Sequence, residues 1–227
     1  TRLRGMFAFV IWDKNTKKLF GARDIFGIKP FFYYLNEGNF LFGSEIKSFL
    51  SNPLFKKEFN EERLPDYLCF EYIPTTETMF KNVYKLEPGS YFEYENGVFN
   101  TKRYFTPEYD IDDTKNIEYW ENLIDETFKG STVAHGIADV EVGCFLSSGV
   151  DSSYVSTYFA DQKTFTVGFD FGEKYNEISW AENLSKKIGV EHHTHLISSE
   201  EFWDAVPTVQ YHMDQPLADP SCIALYF

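Results

Sequence analysis

Several things are scarce in this chain of 227 residues, and each scarcity excludes something. Its three cysteines, Cys69, Cys144 and Cys222, are odd in number, far apart and without metal-ligand spacing. They fit neither a disulfide framework nor a zinc site, and read as reduced core residues of a cytoplasmic protein. No apolar run approaches the ~18 residues that cross a bilayer, and no charged-then-apolar leader stands at the start, so neither a membrane span nor a secretory signal is expected. Basic charge is also short: 21 Lys and Arg against 35 Asp and Glu leave a formal net charge of −14. The basic residues are scattered, which argues against a nucleic-acid surface. Internal repeats and low-complexity tracts are lacking as well.

What is plentiful is apolar and aromatic surface, at 43% and 19% of the residues. That is enough to build the cores of one large or two ordinary domains. The first hundred residues read as mostly antiparallel β. A hairpin runs through the apolar stretch 4–12 and 17–23, strands 31–35 and 40–43 flank Asn36-Glu37-Gly38-Asn39, and a second hairpin turns at Asn96-Gly97. Helical spacing shows over 44–50 and 61–70. Residues 105–115, with Pro107 and the acids Asp110, Asp112 and Asp113, are polar and aperiodic and suit a linker.

Beyond it, Ile117, Trp120, Leu123, Ile124, Thr127 and Phe128 recur at helical spacing and predict a helix of about four turns whose stripe faces a core. The pattern then alternates: strand 140–146, helix 151–160, strand 164–169, helix 176–188, strand 192–197 and helix 199–211. Such alternation predicts a parallel sheet with helices on both faces, which binds ligands beyond the carboxyl ends of its strands.

The sharpest chemical signal lies at one such strand end. Val140, Val142, Cys144, Phe145 and Leu146 read as a short buried strand, followed by Ser147-Ser148-Gly149-Val150-Asp151-Ser152-Ser153 as a tight turn opening a helix. Hydroxyls and unpaired N–H groups at a helix start favour an anion, and Gly149 lets the backbone approach it closely. Asp151 would repel a phosphate unless a divalent cation bridged the two, so the turn predicts Mg²⁺ together with phosphate. A helix start capped by serine and aspartate explains the same residues without a ligand, and both readings stand.

Ser147-Ser148-Gly149-Val150-Asp151-Ser152 resembles the S-G-G-x-D-S signature of the ATP pyrophosphatases, the PP-loop enzymes, with Ser148 in place of the first glycine. The lysine of a Walker-type loop is missing. The resemblance implies ATP and Mg²⁺, with Asp151 on the metal and Ser147, Ser148, Gly149, Val150 and Ser152 around the pyrophosphate. Leu146 and Val167 match its adenine pocket, although both read equally well as buried strand residues, and Gly168 is a candidate contact because a strand ending in Val-Gly can lay backbone groups against an adenine edge. Asn176 reads as a helix cap, and Glu177, after Tyr175, as a first-turn acid favourable to the helix dipole.

Three blocks of the first half, Arg4-Gly5-Met6-Phe7-Ala8-Phe9, Arg23-Asp24-Ile25-Phe26-Gly27-Ile28-Lys29-Pro30 and Ser44-Glu45-Ile46-Lys47, resemble the later part of a class II glutamine amidotransferase domain of the N-terminal-nucleophile type. Taken singly, Arg23 with Asp24 reads as a surface ion pair and Glu45 with Lys47 as a solvated helix face. The family's nucleophilic cysteine and glutamine pocket belong to segments before the first block. The chain is therefore expected to be a fragment without glutaminase action, and Thr1 is not read as a nucleophile. Asp214-Gln215-Pro216-Leu217-Ala218-Asp219-Pro220-Ser221 resembles the D-E-P-x-A-D-P-S segment of bacterial asparagine synthetases, with Gln215 replacing an acid. Asp214, Asp219 and Ser221 are candidate substrate contacts, Asp214 and Asp219 either orienting an amino group or capping a helix at Ser221. A further loop of the family's ATP and aspartate site is expected beyond Phe227.

The order of parts resembles the glutamine-dependent asparagine synthetases and their β-lactam synthetase cousins. The resemblance implies an α/β protein. Residues 1–104 would be the end of an antiparallel, β-rich amidotransferase domain, 105–115 a linker, and 116–227 the start of a doubly wound PP-loop domain. It implies a ligase that makes asparagine from aspartate, glutamine-derived ammonia and ATP through a β-aspartyl-AMP intermediate. The partners would be small molecules, with neither nucleic acid nor membrane, and the full-length protein a cytoplasmic enzyme for which a homodimer is one possible assembly. Another amide ligase on the same scaffold, or an inactive nucleotide-binding module, is the alternative. His193 and His195 share a strand face with no third metal ligand nearby, and read as partly exposed imidazoles rather than a metal site.

Overall fold

A computed structural model describes residues 3–158, 163–170, 172 and 176–227. Thr1, Tyr175 and the end of the helix expected over 151–160 lie outside the described residues. The chain forms two compact units, one running to Tyr109 and including Gln210–Asp219, the other made of Asp110–Val209 and Pro220–Phe227.

The first unit follows the alternating pattern closely. Strands β1 (Ala8–Asp13) and β2 (Lys18–Arg23) form the first hairpin, β3 (Phe32–Asn36) and β4 (Asn39–Gly43) the second. Strands β6 (Ser90–Glu95) and β7 (Val98–Arg103) close on Asn96 and Gly97, both at positive φ as a tight hairpin requires. A three-residue strand, β5 (Val83–Lys85), is too short to show a period in the sequence and pairs with β3. The strands form two antiparallel sheets, ordered β1-β2-β6-β7 and β4-β3-β5.

Aromatic side chains of both sheets meet: Phe40 stacks on Tyr94 with ring centres 4.7 Å apart, and Tyr33 meets Phe99 at 4.6 Å. Phe92, fully buried among them, presses so closely on β2 that a Cβ on Gly21 would lie 2.2 Å from its ring. The helical spacing over 44–50 yields a 3₁₀ turn, Ile46–Phe49. That over 61–70 yields a short 3₁₀ turn followed by helix α1 (Leu64–Phe70).

The pair Arg23 and Asp24 differs from the surface ion pair expected. Asp24 is 1% exposed and accepts the backbone N–H groups of Phe7, Phe26, Ile28 and Lys29 at 2.9–3.3 Å. Burial alone would raise its pKa, but these four donors hold it below the ordinary aspartate value. Arg23 turns instead to carbonyls, donating to Lys29, Leu86 and Gly27. The two charges bind the loop between β2 and β3 from inside.

In the second unit, α2 (Ile117–His135) starts at Asn116, whose side chain accepts the Tyr119 N–H at 3.0 Å. It runs well past the four turns expected. Its apolar stripe is not a core face throughout, for Ile117 is 75% and Ile124 60% exposed. The helix meets Tyr154 and Tyr158 in its middle turns, where the Phe128 ring is 4.8 Å from that of Tyr154 and the Asp125 carboxylate accepts the hydroxyls of both tyrosines.

The parallel sheet is ordered β10-β9-β8, from β8 (Gly143–Phe145), β9 (Lys163–Phe169) and β10 (Glu191–Ile197). The strand expected to be buried over 140–146 is shorter and more exposed. Val140 is 78% and Phe145 62% exposed, and only Leu146 is buried. Among the described residues β8 pairs on one side alone, so its lead-in has no ladder to join. Helix α4 (Ile178–Ile188) covers the face of β9 that bears Gly168. Helix α5 (Ser199–Met213) reaches the other face, where Phe202 meets Phe169 at 6.2 Å. Helix α6 (Ser221–Ala224) packs with α5 through Ile223, Ala205 and Val209. No helix among the described residues is long and apolar enough to cross a membrane.

Candidate functional site

Leu146 ends the β8 ladder by donating its N–H to Phe165 O at 2.8 Å, while the Thr166 hydroxyl donates to Leu146 O. With both backbone groups tied to β9 and its side chain 2% exposed, Leu146 makes a fixed stem for the turn that follows. Helix α3 (Val150–Ser156) begins immediately after that turn.

Within the turn the hydroxyls converge. Ser147 N–H donates to Ser152 Oγ at 3.1 Å, the two hydroxyl oxygens lie 2.8 Å apart, and Gly149 N–H donates to Ser147 Oγ at 3.1 Å. Gly149 has an ordinary negative φ of −69°, so conformational freedom is not what it supplies. What it supplies is room, since a Cβ there would stand 3.2 Å from Ser147 Oγ. Ser148, Gly149, Val150 and Asp151 are exposed. Ser147 to Ser152 therefore form a small polar cradle at the carboxyl end of β8.

Val167 is half-buried on β9, and Gly168 lies beneath the start of α4. An added Cβ on Gly168 would be 2.6 Å from Asn176 Oδ1 and 2.7 Å from Ile178 Cδ1. Asn176 acts as expected, its side chain accepting the Ile178 N–H at 3.0 Å. Glu177 does something the sequence did not suggest: its carboxylate accepts the N–H of Ser148 at 3.1 Å, across 29 residues of chain. No spacing rule could have found that contact, because it depends on how β9 and α4 fold back beside β8.

The 214–221 block divides between the units. Asp214, at φ +63°, has a side chain 6% exposed that accepts the N–H groups of Ile46 at 2.6 Å and Lys47 at 3.1 Å and pairs with the Lys47 ammonium at 3.3 Å. Gln215 Oε1 accepts the Met79 N–H at 3.0 Å. Lys47 is thus no solvated helix residue: burial pulls its pKa down, but Glu45 and Asp214 outweigh that and hold it above the ordinary lysine value. Asp219 belongs to the first unit, and Ser221 opens α6 in the second, with Pro220 at the N-cap.

Among the described residues no three His, Cys, Asp or Glu side chains are grouped to hold a metal ion. His193 and His195 are each 48% exposed at the side chain and lie beside Glu191 and Glu201. A cation at the cradle would have Asp151 and oxygens that arrive with a ligand or as water, a donor set that suits Mg²⁺.

An antiparallel β unit and a parallel α/β unit, the latter with a hydroxyl-lined turn at a strand's carboxyl end, define a two-part chain. Residues 1–105 match the family model for the glutamine amidotransferase domain, and residues 123–227 that for asparagine synthase. In these two parts, and in this order, the chain is similar to the glutamine-hydrolysing asparagine synthetases, which supports a fragment of such a protein. It is 37% identical over 234 residues to asparagine synthetase (glutamine-hydrolyzing) 1 of Bacillus subtilis, with 100% of this chain and 36% of that protein covered. It is 35% identical over 239 residues to a putative asparagine synthetase (glutamine-hydrolyzing) of Mycobacterium tuberculosis, again with 100% and 36% covered. A third relative, putative asparagine synthetase (glutamine-hydrolyzing) 2 of Methanocaldococcus jannaschii, is 31% identical over 233 residues, with 98% and 44% covered. The chain thus spans 36% of the length of the first two relatives.

Proposed function

We propose that this chain carries the ATP-binding loop of a glutamine-dependent asparagine synthetase, a cytoplasmic ligase, with residues 1–104 its amidotransferase part, 105–115 a linker and 116–227 its synthetase part. The cradle of Ser147, Gly149 and Ser152 at the end of β8 is the observation that carries this reading. Two hydroxyls and a close backbone suit the leaving pyrophosphate of ATP, and Ser148 and Val150 flank it. Mg²⁺ bound by Asp151 and phosphate oxygens would neutralise charge on the leaving pyrophosphate.

The reaction that fits is attack by the aspartate side-chain carboxylate on the α-phosphorus of ATP, releasing pyrophosphate. Ammonia from glutamine then displaces AMP from the β-aspartyl adenylate to give asparagine. The protein's share is positional: the turn holds the phosphates in line while Val167 and Gly168, beside the buried Leu146, border the base. Asp219 and Ser221 are the proposed contacts to aspartate. Asp214 enters as the anchor of that segment, because its carboxylate already serves three donors.

Calorimetric titration of ATP with Mg²⁺ into the folded chain and into Asp151→Ala tests the reading. Binding tighter than about millimolar that weakens at least tenfold in the variant is expected, a tenfold change being about 1.4 kcal/mol. Binding by a folded sample that ignores the substitution removes Asp151 from the site.

A further inference from the structure

Glu177 stands at the start of a helix, where an acid is favourable without any function. Its contacts point elsewhere. It occupies the N-cap position of α4 but makes no side-chain capping bond, and Asn176 Oδ1 takes the Ile178 N–H instead. Among the described residues, the ion pairs around the parallel sheet join Lys163 to Glu141, Lys186 to Glu182, His193 to Glu191 and His195 to Glu201, and Glu177 takes part in none of them. Its carboxylate is aimed at the turn after β8 and accepts the Ser148 N–H at 3.1 Å.

The surrounding packing holds it there. Because Gly168 has no side chain, Asn176 and Ile178 settle directly on β9, where a Cβ would come within 2.6–2.7 Å of both. Glu177 lies between those two residues, and its own carbonyl accepts the N–H groups of Trp180 and Ala181 to start the helix. Its side chain is then the free arm of a fixed helix start, on the side facing Ser148.

We propose that Glu177 is a positioning residue that serves as the resident anion of the phosphate turn: its carboxylate holds the Ser148 amide until a phosphate oxygen replaces it. This rests on the nucleotide reading above. Two anions cannot share one donor cheaply, so metal-free pyrophosphate must displace the carboxylate and stay near its charge. A divalent cation changes the sign of that relationship, since carboxylate and phosphate can both face the same ion. The turn would thereby favour the metal complex of the nucleotide over free nucleotide or pyrophosphate.

The test is calorimetric titration of inorganic pyrophosphate, with and without Mg²⁺, into the chain, Glu177→Gln and Glu177→Ala, each first shown to keep its circular dichroism spectrum. Glu177→Gln keeps an acceptor for the Ser148 amide and removes only the charge. It should bind metal-free pyrophosphate roughly tenfold tighter than the parent chain, the gap shrinking when Mg²⁺ is present. Affinities within about twofold of the parent for both variants without metal would overturn the role of Glu177 while leaving the nucleotide reading intact. No binding by any of the three folded proteins, with or without Mg²⁺, would overturn the nucleotide reading and this proposal with it.

Discussion

The carboxylate of Asp214 accepts the backbone N–H of Ile46 at 2.6 Å, joining residues 168 positions apart in the chain. Both oxygens are occupied, since the second takes the Lys47 N–H at 3.1 Å and faces the Lys47 ammonium. A group that sequence spacing offers as a substrate contact is thereby spent on capping the 3₁₀ turn Ile46–Phe49, which has no side-chain cap of its own.

Asp214→Ala should destabilise the first unit by about 2–4 kcal/mol, because it strands two partly buried amides and a lysine that is 14% exposed at its side chain. Asp214→Asn should recover part of that loss, keeping an acceptor without the charge. Urea denaturation followed by near-UV circular dichroism reads both. An unchanged midpoint for Asp214→Ala would show that the cap contributes nothing.

Asp24 predicts a pH dependence. Its folded pKa lies below the unfolded value, so its contribution is fully present above the unfolded aspartate pKa of about 3.9 and is lost as pH falls through the folded value. Asp24→Asn should cost about 2 kcal/mol at neutral pH and flatten the acid limb of stability, since an amide has no proton to gain there. Denaturation midpoints between pH 7 and pH 2 check this. An acid limb as steep as the parent's would assign it to other carboxylates.

Gly168→Ala should disturb the start of α4. The new methyl would lie 2.6 Å from Asn176 Oδ1 and 2.7 Å from Ile178 Cδ1, so the helix start must shift, at a cost of about 1–3 kcal/mol. Hydrogen exchange over 176–181 should quicken relative to the helix's later turns. Unchanged protection would mean that the neighbours move aside freely.

Ser152→Ala removes the acceptor of the Ser147 N–H and one wall of the cradle. Binding of ATP with Mg²⁺ should weaken about tenfold, while stability falls by only about 1 kcal/mol. Isothermal titration beside a thermal melt separates the two effects. Equal affinity would place the phosphates elsewhere.

The sequence by itself determined the class of each part, for a local physical reason. Alternation at period two, Asn96-Gly97 and the strand–helix succession after residue 140 are written in neighbouring side chains, and the strands formed near where those patterns lie. The serine-rich turn was legible too, because six consecutive residues build it. Tertiary structure alone decided what the lone polar groups do. Asp24 found three amides of the loop that follows it and a fourth at Phe7, Asp214 found the amides of Ile46 and Lys47, and Glu177 found Ser148. It also decided which apolar residues are buried: the stripe of α2 and the residues of β8 are apolar in sequence, yet Ile117 and Phe145 remain largely exposed. A side chain's character states what it would gain from burial or a partner. Whether either is within reach depends on chain segments far away in sequence.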